Sequence, residues 1–321
     1  MKQRWIRHAL ALVVGAIAMG AQAAWPEKPI KMVVPYAAGG AADALARVVA
    51  TELASRLKQP VVVDNRGGAG GTIGAQVVAQ AAPDGYTFLY DATAFTVNPS
   101  LYPKLSFSYA RDFAPVGMVA RIPTLLVVPA ASPVNSMADL LQRARVKPGN
   151  VNYASAGNGG AAHLSGELFA QGHQLKLTHV AYRGGAPALA DLAGGHVDMM
   201  FSAITASGPL VKAGKLKAIA TAFDKRIDSM PDVPTVAESG LGGFSAYEWN
   251  GIWAPAATPP DVLKRMESEL KAVLADPAIR QRLFDMGAIP AEGGSQALAK
   301  FVSAETAKWA DVIKTARITL D

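Results

Sequence analysis

The chain of 321 residues contains no cysteine, which excludes disulfide staples, thiolate metal centres and a cysteine nucleophile. No Gly-Lys-Ser or Gly-Lys-Thr run occurs, so the phosphate loop of nucleoside triphosphatases is absent. Charged residues make up only 17%, and although the formal charge is +6, Lys and Arg nowhere cluster with interleaved aromatics. A nucleic-acid surface therefore has no support, and no basic amphipathic helix offers itself to a membrane surface. Long apolar runs are lacking too: the run Ala9 to Met19 falls short of the ~20 residues that span a bilayer.

That run has a different reading. It follows Lys2, Arg4 and Arg7 and precedes Ala21-Gln22-Ala23, the order of a secretory signal peptide. Residues 1–23 are expected to be removed, leaving a mature chain that begins at Ala24. Three of the 31 Lys+Arg leave with the leader, so the mature protein is only mildly basic. Half of all residues are hydrophobic, enough for a large core. A chain of roughly 300 residues exceeds one core and is expected to form two domains.

The pattern along the chain agrees. Strand Ile30 to Val34 leads through Pro35-Tyr36-Ala37-Ala38-Gly39-Gly40 into a helix whose Leu45, Val48, Val49, Leu53 and Leu57 share one face. Strand Val61 to Val63, the glycine run 67–71, a second helix to Ala82 and strand Tyr86 to Tyr90 follow, the order that builds a parallel sheet. A second unit repeats the theme. Strand Leu125 to Val128 precedes a helix opened by Ser136 and Asp139 as in a capping box. Strand Val151 to Ala154 enters Gly157-Asn158-Gly159-Gly160 and a helix, Leu177 to Ala181 enters Tyr182-Arg183-Gly184-Gly185 and a helix, and strands His196 to Phe201 and Leu216 to Thr221 complete the sheet. From Asp261 onward the chain is mostly helical. Extended stretches near Arg121 to Val128 and Tyr247 to Ala254 are expected to cross between the two lobes.

Four glycine pairs, 39–40, 67–68, 159–160 and 184–185, fall after a strand and before a helix. In open α/β sheets ligands bind beyond the carboxyl ends of strands, where glycine permits close approach and first-turn N–H groups favour an anion. The pair at 67–68 is expected to lie toward an outer edge. A dinucleotide fingerprint fails, because Ile73 stands where Gly68-Ala69-Gly70 would need its third glycine. Ser155 lacks the first glycine of a nucleophile elbow and reads as a loop hydroxyl facing ligand. His163 and Glu167 lie four apart on a helix but lack the rest of a metal-binding set, so His163 reads as structural, and His173, His179 and His196 as surface or satisfied core positions.

The segments Trp25-Pro26-Glu27-Lys28-Pro29-Ile30, Val34 to Gly40 with Asp43, Asp64-Asn65-Arg66, Pro83-Asp84-Gly85-Tyr86-Thr87, Asn98-Pro99-Ser100-Leu101-Tyr102, Tyr153 to Leu164, Tyr182-Arg183-Gly184, Gly194 to Asp198, Lys212 to Leu216 and Asp232 to Val236 occur in this order over the whole mature chain. Together they resemble the substrate-binding proteins of tripartite tricarboxylate transporters, the Bug receptors of Gram-negative bacteria. The resemblance implies a periplasmic, periplasmic-binding-protein-like (Venus flytrap) α/β fold, with two α/β lobes joined by two crossing strands. Residues 24–123 and 249–321 would form a discontinuous first lobe and 124–248 the second. It further implies a small carboxylated ligand, an organic di- or tricarboxylate or an aromatic acid, held by Tyr36, Gly39, Gly40, Thr93, Ser155, Asn158, Gly159, Tyr182, Gly184 and Ser202. No catalytic residue, metal or cofactor is implied. The expected partners are the transporter's membrane subunits, served by a monomer; the alternative is a receptor that presents its closed form to a sensor kinase. Three departures from the family pattern stand out: Ala42 and Gly160 replace hydroxyl residues, and Ser202 replaces an acid able to pair with a ligand amine.

Overall fold

A computed structural model describes residues 25–320; the expected leader, 1–23, lies outside them. Strand β1 (Ile30–Val34) exposes only Lys31, the burial of a strand covered on both faces. It is followed by α1 (Ala41–Leu57), β2 (Val61–Asn65), α2 (Thr72–Ala79), β3 (Thr87–Ala92) and α3 (Ala94–Leu101). Helix α1 buries Leu45, Val48, Val49, Leu53 and Leu57, the face its apolar spacing defines. Strand β4 (Phe113–Ile122) then passes through Pro123 into β5 (Thr124–Pro129). The second unit continues with α4 (Met137–Val146), β6 (Asn152–Ser155), α5 (Ala161–His173), β7 (Thr178–Ala181), α6 (Gly185–Ala193), β8 (Met199–Ala203), α7 (Ile204–Lys212) and β9 (Leu216–Thr221). Strand β10 (Glu248–Pro255), α8 (Pro260–Ala275), α9 (Pro277–Asp285), β11 (Ile289–Pro290) and α10 (Ser295–Ala316) complete the chain. Ser136 caps α4 as its sequence suggests, accepting from the Asp139 N–H at 3.2 Å.

The strands form two sheets, ordered β11-β4-β10-β3-β1-β2 and β7-β6-β8-β5-β9. In each, three strands are parallel: β1 with β2 and β3, and β6 with β7 and β8. Neither sheet is wholly parallel. Strand β10 runs antiparallel to β3 and β4, and β5 antiparallel to β8 and β9. The cause is the crossings: β4 leaves the first sheet as β5 enters the second, and the chain returns beside them where Glu248 pairs with Ile122. A strand arriving from the other lobe meets the βα units head-on. Pro123, with no N–H to give a ladder, sits at the handover, its carbonyl accepting from the Ile204 N–H at 2.9 Å.

Helices cover both faces of both sheets. Helix α10 serves the two lobes at once. Leu298, near its start, packs with Phe95, Trp249 and Trp253 on the first sheet. Trp309, Val312 and Ile313, near its end, are buried with Leu164 and Phe169 of the second. The second lobe also holds it through Gln171 Nε2 to the Val312 carbonyl at 3.2 Å and Lys308 Nζ to the Ser245 carbonyl at 2.8 Å. The last turns of α10, within the segment 249–321 expected in the first lobe, carry an apolar stripe long enough to reach the second core as well.

Candidate ligand-binding site

Two turns of the same geometry face one cleft, one from each lobe. Gly39 (φ 82°) and Gly159 (φ 70°) occupy the left-handed region that side chains disfavour. The residue after each is extended, Gly40 at φ −76°, ψ 168° and Gly160 at φ −75°, ψ 166°. Each left-handed glycine donates its N–H to the side chain four residues on, Gly39 to Asp43 Oδ2 at 2.9 Å and Gly159 to His163 Nδ1 at 3.1 Å. The turns open α1 and α5, and neither helix is capped by a side chain. The first-turn N–H groups of Ala41 and Ala42, and of Ala161 and Ala162, consequently have no protein partner among the described residues. They carry the positive ends of two helix dipoles.

The residues that brace the turns are tuned to do so. The Arg47 guanidinium, with the Gly39 N–H and Asn65, overcomes burial and holds the Asp43 carboxyl down at about 2. Burial, reinforced by His179 stacked 3.7 Å away, pulls His163 down to about 4. A neutral His163 is what an acceptor of the Gly159 N–H has to be.

The cleft encloses about 710 Å³, and Tyr36, Gly40, Thr93, Asn158 and Gly159 line it together with apolar Leu45, Val97, Leu101, Ile122 and Met286. On the first-lobe wall Tyr36 donates its hydroxyl proton to Asp91 Oδ1 at 2.7 Å, and that oxygen also accepts from the Ala92 N–H at 2.7 Å. Burial outweighs both bonds and pushes Asp91 up to about 7. Asp91 Oδ2, Thr93 Oγ1 and Asn250 Oδ1 are buried without a protein partner. Glu248 also lines the cleft, and burial raises its carboxyl above the ordinary value.

The other expected site residues stand back from the cleft. Gly39 is exposed at the outer side of its turn, and a Cβ there would meet nothing within 4 Å. Ser155 is fully buried, donating to the Gly157 carbonyl at 3.0 Å and lying 2.6 Å from His179 Nε2. The Tyr182 hydroxyl donates to Asp191 at 2.8 Å, and the Gly184 N–H to the Ala156 carbonyl at 3.1 Å. Ser202 is buried on β8 with its hydroxyl turned toward the Ala203 carbonyl. Ser155, Tyr182 and Gly184 thus shape the second-lobe turn, and Ser155 does not face the cleft as a loop hydroxyl would.

The structure adds residues that sequence reasoning missed. Asn98 and Leu101 of α3, Tyr102 just after it, Glu248 and Asn250 of β10, and Leu320 all line the cleft. So does Gly70, from the run expected at an outer edge, where its carbonyl accepts from Asn98 Nδ2 at 3.0 Å. The segment 98–102 was visible as a family motif without a role, and β10 borders the cleft because it is a crossing strand. Gly159 itself approaches the first lobe so closely that a Cβ would fall 2.6 Å from Leu101.

Ser155 and His179 form a close pair, yet no carboxylate orients His179 and Ser155 is sealed from the cleft. His163 Nε2 and Glu167 Oε1 lie 3.9 Å apart, and no group of three potential metal ligands occurs among the described residues. His163 is buried and bonded, and His179 is half-buried and bonded; His173 has its Nε2 buried without a partner, and His196 is exposed.

Two α/β lobes, paired crossing strands and an uncapped helix from each side of one cleft define a two-lobed solute-binding protein. The sequence profile of the tripartite tricarboxylate transporter family receptors matches residues 45–318, and the chain belongs to that family. It is 38% identical over 311 residues to a protein encoded in the tcbD–tcbE intergenic region of Pseudomonas sp. strain P51, covering 97% of this chain and 93% of that one. Among solved structures, an R. palustris protein with adipate matches with a TM-score of 0.80 at 37% identity, covering 92% of this chain and 99% of the other. The periplasmic binding protein BugD matches at 0.76 and 37%, covering 92% and 99%. MatC from Rhodopseudomonas palustris, with bound malate, matches at 0.76 and 34%, covering 90% and 100%. The family is one of transporter receptors, and BugD is a periplasmic binding protein.

Proposed function

We propose that this chain is a periplasmic receptor that captures a small carboxylate in its interlobe cleft and presents it to the membrane subunits of a tripartite tricarboxylate transporter. It acts as a monomer after loss of residues 1–23. The duplicated turn carries this reading. A carboxylate placed between α1 and α5 meets two sets of unpartnered N–H groups, each helix terminus contributing about 0.3–1 kcal/mol, more where partly buried. No arginine is needed for that grip, and the carboxylates adipate and malate in two neighbours agree with it.

Thermal-shift measurements with mono-, di- and tricarboxylates against their amides test the reading. A ligand that binds only the native form adds about 2.7 kcal/mol at 100 times Kd, so acids are expected to raise the melting temperature and amides not. Gly40→Val and Gly160→Val should abolish the shift with the unliganded melt still cooperative, since both sites are extended and a Cβ meets only a carbonyl at 3.4 or 3.5 Å. Equal shifts from acid and amide would remove the carboxylate grip.

A further inference from the structure

The cleft has an anion-binding end and, by its side chains, the opposite character elsewhere. No Lys or Arg lines it among the described residues. Arg183, between Tyr182 and Gly184, is not on its wall. Glu248 is on the wall, and its carboxylate has no hydrogen-bond or ion-pair partner among the described residues. The nearest arginine by strand register, Arg121 opposite Trp249, is committed elsewhere: it bonds Asp224 at 2.8 Å and stacks on Phe223 at 4.9 Å. Beside Glu248 on the same strand, Asn250 is only 3% exposed, lines the cleft and leaves Oδ1 without a partner. Thr93, 8% exposed, does the same with Oγ1, and behind them Asp91 Oδ2 is also unpartnered. The first-lobe wall thus carries a carboxylate and three polar atoms without protein partners, and no cation among the described residues.

We infer that the ligand carries an ammonium group as well as its carboxylate, and that Glu248, with Asn250 and Thr93, seats that ammonium. A half-buried carboxylate that faces a ligand cleft without a counter-charge is an unfilled cation seat, and a ligand group that brings both charge and N–H donors fits it. A second ligand carboxylate at the same place would meet like charge instead. Burial already holds the Glu248 and Asp91 carboxyls above their usual ranges, and an adjacent cation would draw both back down. Ser202 itself lies off the cleft wall, its hydroxyl turned toward the Ala203 carbonyl.

The inference rests on the carboxylate-receptor reading, and matched ligand triplets separate the two. At each chain length from two to eight carbons, the ω-amino acid, the unbranched monocarboxylate and the α,ω-dicarboxylate are compared, with 6-aminohexanoate, hexanoate and adipate as the central set. 4-(Aminomethyl)benzoate, 4-methylbenzoate and terephthalate form an aromatic set, and carboxamides of the amino acids are controls. Calorimetry on the whole mature protein is expected to show the amino acid binding best at its preferred length, about tenfold tighter than the monocarboxylate, and the dicarboxylate weakest. Glu248→Gln should shrink the amine preference below about threefold and improve the dicarboxylate, with the unliganded melt still cooperative and no lower than that of the wild type. Dicarboxylates or plain monocarboxylates outbinding every amino acid in the wild type overturns the inference and leaves the receptor reading intact, as does an amine preference that survives Glu248→Gln. Carboxamides binding as well as their acids, or no acid binding at all, overturns both.

Discussion

Gly39 and Gly40 are chain neighbours with opposite demands, and the contrast shows what single residues contribute here. At φ 82° Gly39 sits where an L side chain collides with its own backbone, whereas Gly40 at φ −76° is in ordinary extended conformation. Gly39→Ala should cost about 1–2 kcal/mol and Gly40→Ala no more than about 0.5 kcal/mol beyond a surface change, read from urea midpoints at constant m. The buried titratable groups make a second prediction. His163 falls from 6.5 to about 4 on folding, so the unfolded chain takes the proton first and stability drops as pH falls from 6.5 toward 4. Asp91 has the reverse sign. Its carboxyl rises from 3.8 to about 7, so the folded chain keeps a proton the unfolded one has released, and stability drops as pH rises from 3.8 toward 7. Asp91→Asn should remove that second slope while keeping the acid-side loss, in denaturant titrations from pH 4 to 7.5. The structural role of His163 was legible in the sequence; its stacking on His179 and the burial of Asp91 were not, because both arise only when distant segments pack together.

Elements were more legible than residues. The stripe of α1 and the order of strands and helices follow from local periodicity, and so did the placement of the turns at strand ends. The antiparallel strands were not predictable in the same way: the direction of β5 and β10 is set by which lobe the chain arrives from. Helix α2 shows how tightly these elements are fitted. A Cβ on its Gly74 would lie 2.8 Å from the Arg66 carbonyl oxygen and 2.9 Å from Pro35 Cα, backbone atoms that cannot swing aside. Gly74→Ala is therefore expected to destabilise by about 1–3 kcal/mol despite the better helix former, measurable by chemical denaturation. Of the candidate site, the two matched turns were readable as glycine pairs. Thr93 was named as well, but not the wall it shares with Glu248 and Asn250, which forms only where a returning strand lies beside β3.

At the scale of the molecule, the last turns of α10 were assigned to the first lobe because a helical tail carries no sequence mark of which core receives it. Trp309 is 1% exposed in the core of the second lobe, while Leu298, eleven residues earlier, is fully buried in the first. One rigid rod is thus an internal part of both hydrophobic interiors. Lobes joined by strands alone can melt separately, as loosely coupled domains do. A rod that belongs to both cannot leave one without disturbing the other, so thermal denaturation should be a single calorimetric transition whose van't Hoff and calorimetric enthalpies agree. Trp309→Ala, expected to cost about 3–5 kcal/mol, should fall almost wholly on the second lobe and resolve the one heat-absorption peak into two. A wild-type trace with two peaks would show that the shared helix does not couple the lobes. One transition in the wild type and two in the variant would mark α10 as the origin of the protein's cooperativity, although the sequence that specifies it begins forty residues after the last crossing strand.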